Sequence, residues 1–178
     1  MKRTILIAAV TATALTGGAA AVAFADGGTD RAPASKVTAV QAIDATLKER
    51  PGTVVSVDLD DERDDERDVA AWEVEVLGSG TTSYTVRVDP ASGKVLGTDT
   101  DHDEDDTAQA RRALKGAEVD AREAARAAAA KGVVTSVDLE EEGAAGWSVE
   151  TAGSERDWRV DPRTGTVTAE RDDDSDED

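Results

Sequence analysis

Apolar residues along this chain follow two spacings. Ala39, Ala42, Ile43, Ala45 and Leu47 fall on one helical face, as a helix lying on a core requires. Three alternating runs follow: Val55, Val57 and Leu59; Trp72, Val74 and Val76; Tyr84, Val86 and Val88. Alternation predicts strands with one buried face. Thr38-Ala39-Val40-Gln41 reads as a capping box that starts the helix, and Pro51-Gly52 stops it. Asp89-Pro90-Ala91-Ser92-Gly93 turns the chain, and Val95 and Leu96 begin a short fourth strand. In that turn Asp bonds the backbone, Pro presets φ and Gly takes a left-handed position.

The same pattern then returns. Asp120 to Glu123 stands where the capping box stood, Ala124, Ala125, Ala127 and Ala128 supply the helix face, and Gly132 is expected to end the helix. Ser136-Val137-Asp138-Leu139 copies Ser56-Val57-Asp58-Leu59, with Thr135 standing for Val55. Trp147 and Val149 match Trp72 and Val74, and Trp158 and Val160 match Val86 and Val88. Asp161-Pro162-Arg163-Thr164-Gly165 repeats the turn. Such self-similarity marks a tandem of two small units of one fold. We place them at residues 36–98 and 119–171. An alanine face favours helix but buries little area, so the second unit should have a shallow core.

Between the units, residues 99–118 read as an acidic linker. Its charge block, starting at Asp99, is expected to be extended and mobile. A short helix is expected from Thr107, as its cap, to Lys115, ending at Gly116. The acidic run 60–68 reads as a solvated hairpin loop, and residues 172–178 as a disordered acidic tail. At the other end, Lys2 and Arg3 precede an apolar stretch from Ile5 to Leu15, and Ala23-Phe24-Ala25 forms a small-x-small site. That order is a secretory signal peptide over residues 1–25, cleaved near Ala25, with a flexible segment at 26–35. The expected location is extracytoplasmic: secreted or in the cell envelope, with no membrane insertion after cleavage.

The chain has 39 acidic and 20 basic residues, a net charge of −19 at neutral pH. Loss of Lys2 and Arg3 with the signal takes it to −21. Such a polyanion repels nucleic acid and anionic membranes and attracts cations and basic partners. There is no Cys, so an exported chain of units near 60 residues must fold on packing alone.

The helix, the Val-Val-Ser-Val-Asp-Leu strand, the Trp-x-Val-Glu strand and the Val-Asp-Pro-x-[Ser/Thr]-Gly-x-Val turn together resemble the PepSY domain. The resemblance covers both units. It implies an α+β fold of two tandem cystatin-like units, each with one helix packed on a three- to four-stranded antiparallel sheet. It also implies a non-catalytic module. PepSY domains occur in propeptides of secreted metallopeptidases and in envelope proteins, and are thought to restrain peptidases or bind partners. Trp72, Asp89, Pro90 and Gly93, with Trp147, Asp161, Pro162 and Gly165, carry the shared motif.

Nothing here looks like an enzyme. The single His, His102, lies in the acidic linker, and no Cys or Gly-rich phosphate loop accompanies it. No cofactor is expected. Asp99, Asp101, Asp103 and Asp105 alternate as an EF-hand loop begins. Glu104 replaces the turn Gly, however, and Ala110 the closing Glu, which leaves only weak association of Ca²⁺ or Mg²⁺. Trp72, Trp147 and Trp158 are expected in the core, and Arg87 and Arg159 on the surface. The expected function is a binding or regulatory role toward an extracytoplasmic protein, with a peptidase as first candidate, acting in trans. The alternative is an acidic envelope protein that collects divalent cations or basic partners through its Asp/Glu runs. Salt discriminates them, because exposed charges are screened over about 8–10 Å.

Overall fold

Each repeat folds as a helix followed by four antiparallel strands. The computed structural model describes residues 35–60, 70–141, 145–154 and 156–170. The first unit comprises α1 (Ala39–Glu49), β1 (Thr53–Asp60), β2 (Ala71–Leu77), β3 (Ser83–Val88) and β4 (Val95–Asp101). A further helix, α2 (Glu104–Ala113), leads to α3 (Ala121–Ala128), β5 (Val134–Glu140), β6 (Gly146–Thr151), β7 (Trp158–Val160) and β8 (Val167–Ala169). Both capping boxes form: Thr38 with Gln41 on α1, and Asp120 with Glu123 on α3. Each satisfies two backbone N–H groups that a helix start leaves without partners.

The two units share one sheet. Its order is β4-β3-β2-β1-β5-β6-β7-β8, antiparallel throughout. The first strands of the two units join edge to edge, with Val57 opposite Val137, Ser56 opposite Asp138 and Asp58 opposite Ser136. Because these are the matching residues of the repeat, a local two-fold axis runs between Val57 and Val137. The join removes two strand edges that would otherwise offer unpaired backbone groups.

α1 and α3 lie on the same face of this sheet and touch each other. Ile43, Val57, Trp72, Val74, Val86 and Val88 of the first unit and Ala124, Ala125, Ala128, Val137, Trp147, Val149 and Val160 of the second belong to one continuous core. Asp44 and Arg122 bridge the helices at 2.9 Å on the half-exposed side, a contact worth little by itself. Counted from the capping boxes, Ala125 stands where α1 has Ile43, and Ala128 where it has Thr46. The smaller side chains bury less area, and the shared core compensates for what α3 cannot bury alone.

Four features depart from the sequence reading. A β-bulge between Val54 and Ser56 shifts the inward set, so that Val54 rather than Val55 joins Val57 in the main core. Val55 turns to the opposite face and packs with Leu77 and Ala110. The second unit repeats the bulge, with Val134 inward instead of Thr135. The acidic segment after the first unit is ordered at its start: Asp99 to Asp101 complete β4, paired with Thr85 to Ser83. α2 starts three residues before Thr107, capped by Asp103, whose carboxylate accepts from the N–H groups of Asp105 and Asp106. Thr107 is buried and donates to the Thr81 carbonyl. Gly132 lies past the end of α3, which Ala129 caps. The expected signal peptide, nearly all of the 26–35 segment, most of the acidic 60–68 run and the acidic tail lie outside the described residues.

Candidate functional site

The repeated Trp and the repeated turn form one latch in each unit. The Trp72 indole N–H donates to the Val37 carbonyl at 2.9 Å, and the Trp147 indole N–H to the Val119 carbonyl at the same distance. Val37 and Val119 each precede a helix cap. Their own N–H groups donate to Pro90 and Pro162 of the turns, at 3.0 and 2.9 Å. Within the turns, Asp89 accepts from the Ser92 N–H and hydroxyl, and Asp161 accepts from those of Thr164. Gly93 and Gly165 close each turn at φ of 71° and 69°, where a side chain is resisted. The backbone N–H of Thr164, with that of Arg163 and the Thr164 hydroxyl, holds the Asp161 carboxyl below its usual range. Trp72, Asp89, Pro90 and Gly93, like Trp147, Asp161, Pro162 and Gly165, thus fasten the last turn of the sheet to the start of the helix. Both Trp rings are almost wholly buried. Their geometry is architectural.

The chemistry gathers on the other face of the sheet, which α1 and α3 leave uncovered. Strand alternation places Asp58, Asp60, Glu73, Glu75, Asp138, Glu140 and Glu150 there, opposite the core residues that flank them. Arg87 meets Glu73 at 3.4 Å, and Arg159 meets Glu140 at 3.0 Å and Glu170 at 3.8 Å. Carboxylates outnumber these cations, and their protonation responds. Burial raises Glu73, with Asp60 and Asp99 adding to it against the pull of Arg87. Burial, then the charges of Asp157 and Asp138, raise Glu150. Asp58 is pushed up to about 6, first by desolvation and then by Asp138, Glu150, Asp60 and Glu73.

α2 covers one corner of this face. Its Ala110 sits on Val55 and Leu77, and Arg111 donates to the carbonyls of Gly78 and Gly80 at 2.7 and 3.0 Å. Between α2 and the sheet runs a cleft of about 630 Å³ with an apolar floor of Val55, Leu77 and Ala110. Glu75, Asp99, Asp101, Asp103, Asp106 and Glu141 line its walls. Burial, then Glu141, Asp106 and Asp101, raise Glu75, while the Ser83 hydroxyl opposes the shift. Burial and Asp106 raise Glu141, while Gln109 opposes it.

The four aspartates proposed as cation ligands separate along this corner. Asp99 and Asp101 belong to β4, Asp103 caps α2 and Asp105 lies in its first turn. Asp103 already binds two backbone N–H groups. Among the described residues, no three of His, Asp and Glu stand together as a metal site. His102 lies beside the Thr82 hydroxyl, its Nδ1 3.2 Å away. The carboxylate face as a unit escaped the sequence reading. Its residues had been visible as the polar halves of alternating strands, but only the edge-to-edge pairing of β1 and β5 brings the two sets together.

No curated protein matches this chain. Among solved structures, a crystal structure of a candidate lipoprotein from Clostridium difficile 630 is similar, at 23% identity and a TM-score of 0.44. The likeness covers 76% of this chain and 93% of that one. The family model described as peptidase propeptide and YPEB domain matches twice, at residues 36–99 and 108–171. The first match spans the first latched unit, the second takes in the end of α2 together with the second unit, and the chain belongs to the PepSY family, as a tandem of two domains.

Proposed function

We propose that this protein is a non-catalytic binding module of the cell exterior. In this reading it engages an extracytoplasmic protein through the uncovered face of its sheet, with a peptidase as the first candidate. The observation that carries the reading is the asymmetry of the sheet. One face is filled by α1 and α3, while the other spans both units, bears carboxylates from β1, β2, β5 and β6, and among the described residues is roofed only at one corner. The family's association with peptidase propeptides supports the choice of partner. The lone His on an exposed rim, bonded to a Thr hydroxyl, supports the absence of catalysis, since a nucleophile and base need mutual positioning. The N-terminal signal pattern supports export. The edge of β4 is a poorer docking surface: Leu96 is bulged out of register, and Asp99 and Asp101 charge the strand, both features that discourage strand addition.

The test measures binding to, and inhibition of, secreted peptidases from the same source. Two variants each neutralise two carboxylates. Glu75→Gln with Glu150→Gln alters the sheet face, and Asp176→Asn with Glu177→Gln alters the tail. Docking on the face predicts loss of inhibition only in the first variant. Equal weakening in both would mean that bulk negative charge does the binding and the folds serve as spacers, because a polyanion is indifferent to where its charges sit.

A further inference from the structure

We infer that the joint between the two units is a proton-sensitive seam, which closes more firmly when the carboxylates around Asp58 lose their negative charge. The seam is short. Three residue pairs join β1 to β5: Ser56 with Asp138, Val57 with Val137, and Asp58 with Ser136. Its two sides carry opposite tendencies. On the helix side, Val57 and Val137 are fully buried, α1 touches α3, and Arg122 bonds Asp44. These contacts hold the units together. On the open side, the two-fold arrangement places an Asp from each unit beside the same four-residue square.

Ser56 donates to Asp138 at 2.7 Å, and the Ser136 hydroxyl donates to the other oxygen of the same carboxylate. Both hydroxyls are thus turned to Asp138, and Asp58 is the second carboxyl of the square. Among the described residues, the groups that act on it come from every neighbouring strand and are acidic: Asp60 on β1, Glu73 on β2, Asp138 on β5 and Glu150 on β6. Among the described residues, Arg87 of β3 is engaged with Glu73, and Arg159 of β7 with Glu140 and Glu170. The acidic residues of α2 act instead on Glu75 and Glu141.

Near neutral pH, like charges therefore press the open side of the joint apart while the core holds the helix side. Protonation of Asp58 removes the central repulsion. It also gives Asp58 an O–H to donate, with Ser136 opposite it in register. The elevated pKa of Asp58 agrees with this geometry and places the change in mildly acidic conditions.

The experiment uses the whole protein and reads the seam directly. Carboxyl-carbon NMR follows the titration of Asp58. Amide hydrogen exchange at Val57 and Val137, corrected for the intrinsic effect of pH, follows opening of the joint. The expected result is an Asp58 midpoint near 6, with exchange slowing by about threefold or more between about pH 7.5 and about pH 5. Asp58→Asn, a neutral residue of the same shape, should show slow exchange at both pH values. Glu49→Gln, which removes one charge far from the seam, should keep the wild-type profile. Asp58 titrating with an ordinary carboxyl midpoint would overturn the inference. So would an Asp58→Asn profile like the wild type, or a Glu49→Gln variant that slows exchange equally.

Discussion

Val57 and Val137 face each other across the centre of the sheet, each from the same position of its repeat and each fully buried. Their pairing makes two domains into one folded body. It places the α1 and α3 cores in contact below the sheet and the two acidic strand faces in contact above it. A PepSY unit near the lower size limit for independent folding thereby gains a second unit's core.

If the core is shared, substitutions across the seam should not add. Val57→Ala and Val137→Ala are each expected to cost about 2 kcal/mol through lost burial and the cavity left behind. The double variant should depart from the sum by about 0.5 kcal/mol or more, since the two side chains share one packing environment. Denaturant unfolding of the four proteins measures the coupling. Strict additivity would mean that the two cores behave as separate bodies.

The Trp latch can be tested by removing only its hydrogen bond. Trp147→Phe keeps an aromatic ring in the core but deprives the Val119 carbonyl of the indole donor. The expected loss is about 1–3 kcal/mol, combining an unmade bond with some lost volume. Replacing Trp158 by Phe should cost less. That indole is only half-buried, and its N–H bonds the Thr151 hydroxyl at 3.2 Å. Thermal unfolding ranks the two, and a larger cost at Trp158 would contradict the latch.

Thr46 offers a stabilising change. It is fully buried in α1, and its hydroxyl has no hydrogen-bond partner. The matching position of α3 is Ala128, which carries no polar group. Thr46→Val keeps the shape and removes the hydroxyl, and should raise stability by about 1 kcal/mol. A lower unfolding midpoint in the variant would show that the hydroxyl is satisfied in solution.

The dependence of stability on pH should be opposite to that of most proteins over one window. Asp58, Glu73, Glu75, Glu141 and Glu150 all have carboxyl pKa values raised by folding. Between the unfolded values and the raised ones, the folded state binds more protons than the unfolded chain. Stability therefore rises as pH falls from neutral through about 6 toward the ordinary carboxyl range. Asp161 works the other way. Its lowered pKa gives stability above the ordinary Asp value that is lost as pH falls through the folded value. Melting temperature against pH should show a maximum on the acidic side of neutral. A monotonic fall on acidification would contradict the crowding of the open face.

Much of each unit was legible before any coordinates. The capping boxes at Thr38 and Asp120, the Asp-Pro-x-[Ser/Thr]-Gly turns and the alternation of Val74 and Val86 with polar neighbours are local signals. Propensity and hydrogen bonding within a few residues decide them. The bulge that sends Val55 to the wrong face was not legible, because one inserted residue inverts the alternation without altering composition. Nor was the order of Asp99 and Asp101, whose charges suggest solvated chain. Backbone pairing with Thr85 and Ser83 holds them in the sheet, with their side chains on its open face.

The sequence by itself determined the repeat, the capping box and turn in each unit, and the carboxyl-rich polar halves of β1, β2, β5 and β6, since these depend on side-chain type and near neighbours. Only the tertiary structure decided that β1 pairs with β5, that α1 and α3 share one core, and that Asp58 and Asp138 meet beside a common axis. Such contacts join residues some 80 positions apart. They arise because an unpaired strand edge and a shallow alanine core both gain by being covered, and nothing local to either strand names the surface that covers it.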